Sequence, residues 1–121
     1  MPKIIETKFE ESKGYIIFEH IDSYNWKQLL NLDFNNKIYL MIKILCKVKA
    51  LHENSIIHCD LKTSNILLSK TQVYIVDFET CSINGNVLLK GAGTPEYCAP
   101  EYTSKGIINE QTDIYSLGVI L

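Results

Sequence analysis

Arginine is missing altogether: all twelve basic residues of this 121-residue chain are lysine. Any task that needs a planar, bidentate guanidinium fork is therefore vacant or filled from outside the chain. Fourteen acidic residues outweigh those twelve, giving a net charge of −2 and a pI near 5.9. That balance excludes the basic face required of a protein whose main partner is nucleic acid. The four cysteines are widely and irregularly spaced. Cys46, Cys59, Cys81 and Cys98 form no CxxC pair, so neither a disulfide framework nor a zinc–thiolate site is expected. No secretory signal is visible, and four reduced thiols suit a cytoplasmic protein. Long hydrophobic runs are missing too. The terminal IYSLGVIL is 8 residues, against the ~20 that span a bilayer, so no membrane partner is expected.

What is present is the profile of one globular domain, 46% hydrophobic and 21% charged. Its length buries about two thirds of the unfolded surface. YIIF at 15–18 reads as a buried strand. EHIDS follows as a connector, with Asp22 or Ser23 placed to cap a short helix, YNWKQLLN. NLDFNN then reads as loop. From Lys37 to His52, Ile38, Met41, Ile42, Leu45 and Val48 recur at helical spacing. This predicts a helix packed along that stripe, with Lys43, Lys47 and Lys49 in solvent. Ile56-Ile57, Ile66–Leu68 and Val73–Val76 are brief apolar runs, and the last two, separated by SKTQ, predict a hairpin. Residues 79–96 hold Gly85, Gly91, Gly93 and Pro95 without sustained period, and read as a long loop of the kind that carries function. TDIYSLGVIL predicts a closing helix.

The stretch HCDLKTSN at 58–65 carries the chemistry. Phosphoryl transfer needs a carboxylate near the acceptor hydroxyl, a cation near the transferred group and oxygen ligands for Mg²⁺. Asp60 suits the first, Lys62 the second and the amide oxygen of Asn65 the third. Against this, an Asp and an Asn in a polar loop often do no more than cap turns. Asp77, twelve residues past Asn65 at the end of an apolar strand, suits either a second metal-facing carboxylate or a turn cap. Glu101 closes GTPEYCAPE, and Asp113 opens DIYSLG.

In order and spacing, IIHCDLKTSNILL, YIVDFET, GTPEYCAPE and TDIYSLGVIL resemble four segments of a eukaryotic-type protein kinase. These are the catalytic loop, the Asp-Phe-Gly segment, the Ala-Pro-Glu segment with its P+1 loop, and the buried helix after it. The resemblance covers nearly the whole chain, since YIIFEHI is similar to the last small-lobe strand and hinge, and PKII to the approach to the preceding strand. It implies an α+β, protein-kinase-like fold with a mostly helical C-terminal lobe, incomplete at both ends. Residues 1–22 would be remnant small-lobe strands and hinge, and 23–121 a truncated large lobe. ATP and Mg²⁺ are the implied cofactors and a protein the implied substrate. By the same resemblance Asp60 is the catalytic base, Lys62 meets the γ-phosphate, and Thr94 is the P+1-loop threonine touching both. Asn65 and Asp77 would hold Mg²⁺. The backbone of Glu19 and Ile21 would meet adenine above a floor made by Leu67, with Phe18 as gatekeeper. His58 and Phe78 match an internal packing spine anchored by Asp113. Lys62 with Thr94 favours Ser/Thr over Tyr as acceptor.

Departures from the family pattern carry information as well. Cys59 replaces the Arg that holds a phosphorylated activation loop in many relatives, and residues 83–93 contain no Ser, Thr or Tyr. Together these imply control without activation-loop phosphorylation. Glu79 stands where the family usually has Gly, restricting the backbone and adding negative charge near the metal. No Gly-rich loop or strand lysine paired to a helix glutamate is recognisable, so a small lobe supplied separately or missing is implied. Glu101 has no Arg partner in the chain, which predicts an unpaired buried carboxylate. Three functions are compatible with these residues. The first is a Ser/Thr protein kinase domain fragment, inactive as 121 residues alone. The second is a catalytically inactive, pseudokinase-like interaction module or decayed kinase gene product. The third is a small-molecule phosphotransferase of the aminoglycoside-kinase type, against which the peptide-substrate element GTPEYCAPE argues. Intact Asp60, Lys62, Asn65 and Asp77 favour the first.

Overall fold

The computed structural model describes all residues of the chain except 12, 30, 89–92 and 121. Two antiparallel strands, β1 (Ile4–Glu10) and β2 (Lys13–Phe18), open it. Then come α1 (Trp26–Leu29), α2 (Phe34–His52), β3 (Ile56–Ile57), β4 (Ile66–Leu68) and β5 (Val73–Ile75). The remaining elements are β6 (Ser82–Ile83), β7 (Asn86–Val87), α3 (Pro100–Lys105) and α4 (Glu110–Ile120). The strands form three small antiparallel sheets, β1-β2, β3-β6-β7 and β4-β5. Helices and strands are thus mixed, as expected of an α+β fold. No helix among the described residues is long and apolar enough to cross a membrane.

The YIIF segment is a strand, but it is not buried. Every residue of β1 and β2 is exposed, because a two-stranded ribbon carries no layer of its own to cover it. The short helix α1 is capped by Asn25, not by Asp22 or Ser23. Asn25 Oδ1 accepts the Lys27 N–H at 2.9 Å, and Gln28 Oε1 reaches back to the Asn25 N–H at 3.1 Å, a reciprocal cap one turn long. The Trp26 indole N–H then donates to the Ile66 carbonyl at 3.1 Å, tying α1 to β4.

Helix α2 starts at Phe34, three residues before Lys37, because Asp33 Oδ1 accepts the Asn36 N–H at 3.1 Å and caps the first turn. Its packed face also differs from the expected stripe. Ile44 and Val48 are buried, flanked by half-buried Leu40, Met41 and Leu51, whereas Ile38, Ile42 and Leu45 are 40% or more exposed. The helix carries two overlapping apolar stripes, and periodicity alone does not say which one finds a partner. Lys47 and Lys49 lie in solvent as expected, but Lys43 is half-buried.

The core joins Ile44 and Val48 to Leu61, Ile66, Leu68, Val73, Ile75 and Leu117. It therefore draws on α2, the β4-β5 hairpin, α4 and the loop before β4. The hairpin matches its sequence reading: Ile66, Leu67 and Leu68 pair with Ile75, Tyr74 and Val73, and Ser69 closes the turn onto Gln72. Residues 79–96 are less open than the loop reading held. β6 and β7 form a hairpin around Asn84-Gly85, both at positive φ (51° and 80°), the dipeptide that a tight primed turn requires. Positions 89–92 lie outside the described residues.

Leu61 is fully buried, while Ile42 is 53% exposed. In urea unfolding, Leu61→Ala should cost about 2–5 kcal/mol, and Ile42→Ala no more than about 0.5 kcal/mol. Equal costs would mean that α2 packs through the other stripe.

Candidate active site

The site is built around a loop that could not hold its shape unaided. Between β3 and β4 the chain turns through Cys59 at φ 65°, a left-handed conformation that costs a non-glycine residue roughly 1–2 kcal/mol. Asp113, fully buried near the start of α4, supplies the compensation. Its Oδ2 accepts the His58 N–H at 2.9 Å, and its Oδ1 accepts the Cys59 N–H at 2.9 Å. His52, at the end of α2, meets the same carboxylate at 2.8 Å through Nε2. The His58 ring is buried, with Nε2 3.0 Å from the Val76 carbonyl and Nδ1 accepting the Asp60 N–H at 3.4 Å. A carbonyl only accepts, so Nε2 carries the proton. The ring packs on Phe78, centroids 4.9 Å apart. His58, Phe78 and Asp113 are thus in contact.

Asp60 leaves this loop with both carboxylate oxygens engaged. Lys62 Nζ donates to Oδ2 at 2.7 Å, while the Thr94 N–H and hydroxyl both donate to Oδ1 at 2.8 Å. Lys62 also donates to Thr94 Oγ1 at 2.9 Å, closing a three-residue ring across 34 positions of sequence. Behind it, buried Asn65 gives its amide N–H to the Asp60 carbonyl at 3.0 Å and lies 3.3 Å from Oδ2. Its own amide oxygen accepts the Ser64 hydroxyl at 3.2 Å and keeps a second lone pair. Burial pushes the Asp60 carboxyl upward, but hydrogen bonds from Lys62 and Thr94 outweigh it and hold the group below its ordinary range. The bond to Asp60 raises Lys62, with the Asp77 charge contributing, so both partners stay charged.

A cavity of about 880 Å³ is lined among others by Phe18, Glu19, Ile21, Leu67, Val76, Asp77 and Glu79. Asp77 is exposed at φ 66°, and the preceding Val76 N–H is anchored on the Asn65 carbonyl at 3.0 Å. The eight site residues named from sequence therefore fall into two groups, linked through the backbone bond from Val76 to Asn65. Asp60, Lys62, Asn65 and Thr94 form the hydrogen-bonded ring and its backing, and Glu19, Ile21, Leu67 and Asp77 wall the cavity. The Asp77 carboxylate and the Asn65 amide oxygen are hard donors of the kind Mg²⁺ takes, and the cavity matches a nucleotide-sized ligand. These residues fit the implied cofactors.

Glu101 differs from expectation. It is half-buried in the first turn of α3, not sequestered, so water shares its charge and the penalty of an unpaired buried acid does not arise. Thr80 and Ser82 are buried, and Thr80 Oγ1 donates to the His58 carbonyl at 3.1 Å, which makes both framework residues rather than accessible hydroxyls. Burial, reinforced by Asp113, pushes the Cys59 thiol up to about 12, so it is an inert filler. Sequence reasoning missed His52, Gly93 and Ser116. Gly93 sits at φ 150°, where an added Cβ would lie 2.8 Å from Cys98 Sγ, one residue before Thr94. Ser116, one turn beyond Asp113, donates to the Tyr97 carbonyl at 2.8 Å. Positive φ at Gly93 had a residue-type signal, but the other two depend on partners far away in sequence.

A family model described as the protein kinase domain matches residues 2–121, and the chain belongs to that family. It is 34% identical to a "probable receptor-like protein kinase" of Arabidopsis thaliana, across 93% of this chain and 26% of that protein. It is 35% identical to R436 of Acanthamoeba polyphaga mimivirus, named as a serine/threonine-protein kinase, across 99% of this chain and 50% of that protein. The chain thus spans about a quarter to a half of the length of these curated relatives. The fold is shared with the kinase PK-1 of Cydia pomonella granulovirus, at TM-score 0.80 and 21% identity, over 97% of this chain and 46% of that one. The α+β protein kinase fold is therefore that of this chain.

The Asp113 side chain raises His52 above its ordinary 6.5, against a smaller opposing effect of burial. Because the folded-state value is the higher one, the pair's contribution is complete below about pH 6.5 and is lost as pH climbs through the raised value. The gap in urea midpoint between the parent chain and His52→Gln should therefore be widest in mild acid and narrow toward alkaline pH. A gap that widens with pH would contradict the pairing.

Proposed function

We propose that these residues form the acceptor-side half of a Ser/Thr protein kinase site, with 1–22 as small-lobe strands and hinge and 23–121 as large lobe. The observation that carries this reading is the Asp60 carboxylate held on both oxygens by Lys62 and Thr94, beside a cavity edged by Asp77. Bound Mg-ATP would supply the phosphoryl group and neutralise part of its charge. Asp60, kept ionised, orients the acceptor hydroxyl and takes its proton. Lys62 turns toward the transferred phosphoryl, and Asn65 and Asp77 hold the metal. The backbone of Glu19 and Ile21 meets adenine over Leu67. Thr94, bonded to both catalytic side chains, supports a Ser/Thr acceptor, and the relatives' names support a protein substrate. Four cysteines, none of them in a disulfide, support a cytoplasmic setting.

A Gly-rich loop and a strand lysine have no counterpart among the described residues, so efficient transfer requires a small lobe contributed from elsewhere. One observation favours an inactive interaction module instead: Glu79 brings a second carboxylate into the cleft beside Asp77.

Titration of the 121-residue chain with a fluorescent ATP analogue separates the two readings. The kinase reading expects binding that needs Mg²⁺ and weakens about tenfold or more in Asp77→Ala, with transfer to a generic basic protein at background. Binding indifferent to Mg²⁺ and to Asp77 would overturn it. Robust transfer that disappears in Asp60→Asn would show that no added lobe is needed.

A further inference from the structure

A second concavity, of about 510 Å³, opens between α1, α2 and the turn joining β4 to β5. Its size lies within the roughly 300–1,000 Å³ of ligand sites, and it shares no lining residue with the nucleotide-sized cavity. Leu29, Leu32, Leu40 and Val73 give it apolar walls, and its charged lining residues are Lys43 and Lys70. Among the described residues no carboxylate lines it, although acidic residues outnumber lysines in the chain. Asp33, adjacent to Leu32, is committed to the cap of α2, accepting the backbone and side-chain amides of Asn36. Lys43 is held in place. Its Nζ lies 4.6 Å from the centre of the Tyr39 ring and donates to the Thr71 carbonyl at 3.3 Å, which leaves two N–H groups for a ligand.

We propose that this groove docks an acidic peptide segment of a partner protein. An apolar side chain of that segment seats among Leu29, Leu32, Leu40 and Val73, and flanking carboxylates pair with Lys43 and Lys70. Charge complementarity selects the occupant: an apolar pocket whose charges are all positive rewards carboxylates and repels a basic segment. The β4-β5 hairpin borders both sites, with Leu67 on the cleft and Ser69, Lys70, Gln72 and Val73 on the groove. A docked segment would thus lie beside the cleft without entering it.

Fluorescence anisotropy of the 121-residue chain with a fluorescein-labelled peptide of alternating glutamate and leucine tests this, the lysine–leucine counterpart serving as control. The acidic peptide should bind saturably, more tightly as salt falls, and at least tenfold more weakly to the double variant Lys43→Glu, Lys70→Glu. Binding of the fluorescent ATP analogue to that variant should be unchanged. Should the double variant misfold, Lys70→Glu alone, in the exposed turn, should still weaken the acidic peptide several-fold. No saturable binding, equal binding of the basic peptide, or variants that lose nothing would each overturn the proposal.

Discussion

A single buried carboxylate organises this molecule. Asp113 receives the backbone N–H groups of His58 and Cys59 and faces His52, so one side chain joins the end of α2, the loop after β3 and the start of α4. Burying a charge is costly unless it is paired and fully hydrogen-bonded, and here both oxygens are satisfied. The return on that cost is geometric. The bonds fix a left-handed Cys59, and the residue after that bend, Asp60, meets Lys62 and Thr94.

Helical spacing extends the same control to the other side of the site. Ser116 lies three residues after Asp113, on the same face of α4, and holds the Tyr97 carbonyl. One helix face thereby sets both the loop bearing Asp60 and the segment bearing Thr94, and the two meet in the ring closed by Lys62. Gly93 permits the approach, since a methyl group there would collide with Cys98. Phosphoryl transfer depends more on positioning and charge than on covalent chemistry. A carboxylate such as Asp60, fixed from two directions by one rigid element, suits the role of base proposed for it.

Much of this was legible in the chain. The Asp60, Lys62, Asn65 and Asp77 spacing, the 66–75 hairpin and the closing helix all follow from local pattern, and in the structure Asp60, Lys62, Asn65 and Thr94 form one hydrogen-bonded group while Glu19, Ile21, Leu67 and Asp77 line one cavity. What local pattern misjudged has common physical causes. The α2 stripe and the exposure of β2 depend on which neighbour covers an apolar face, and sequence spacing is silent about neighbours. Asn25 capped α1 where Asp22 and Ser23 were equally good candidates by type. The Asn84-Gly85 hairpin was readable from its dipeptide but was masked by the surrounding aperiodic loop. His52 and Ser116 offered no local sign, because each acts through a partner on a distant element.

The most direct test of the central role of Asp113 is amide hydrogen exchange at His58 and Cys59, compared between the parent chain and Asp113→Asn. If the carboxylate holds the loop, these two amides exchange in the parent only with global unfolding. In the variant they open locally, at least tenfold faster relative to the β4-β5 amides, whose protection follows global stability. Protection at His58 and Cys59 that tracks the β4-β5 hairpin equally in both proteins would contradict the account.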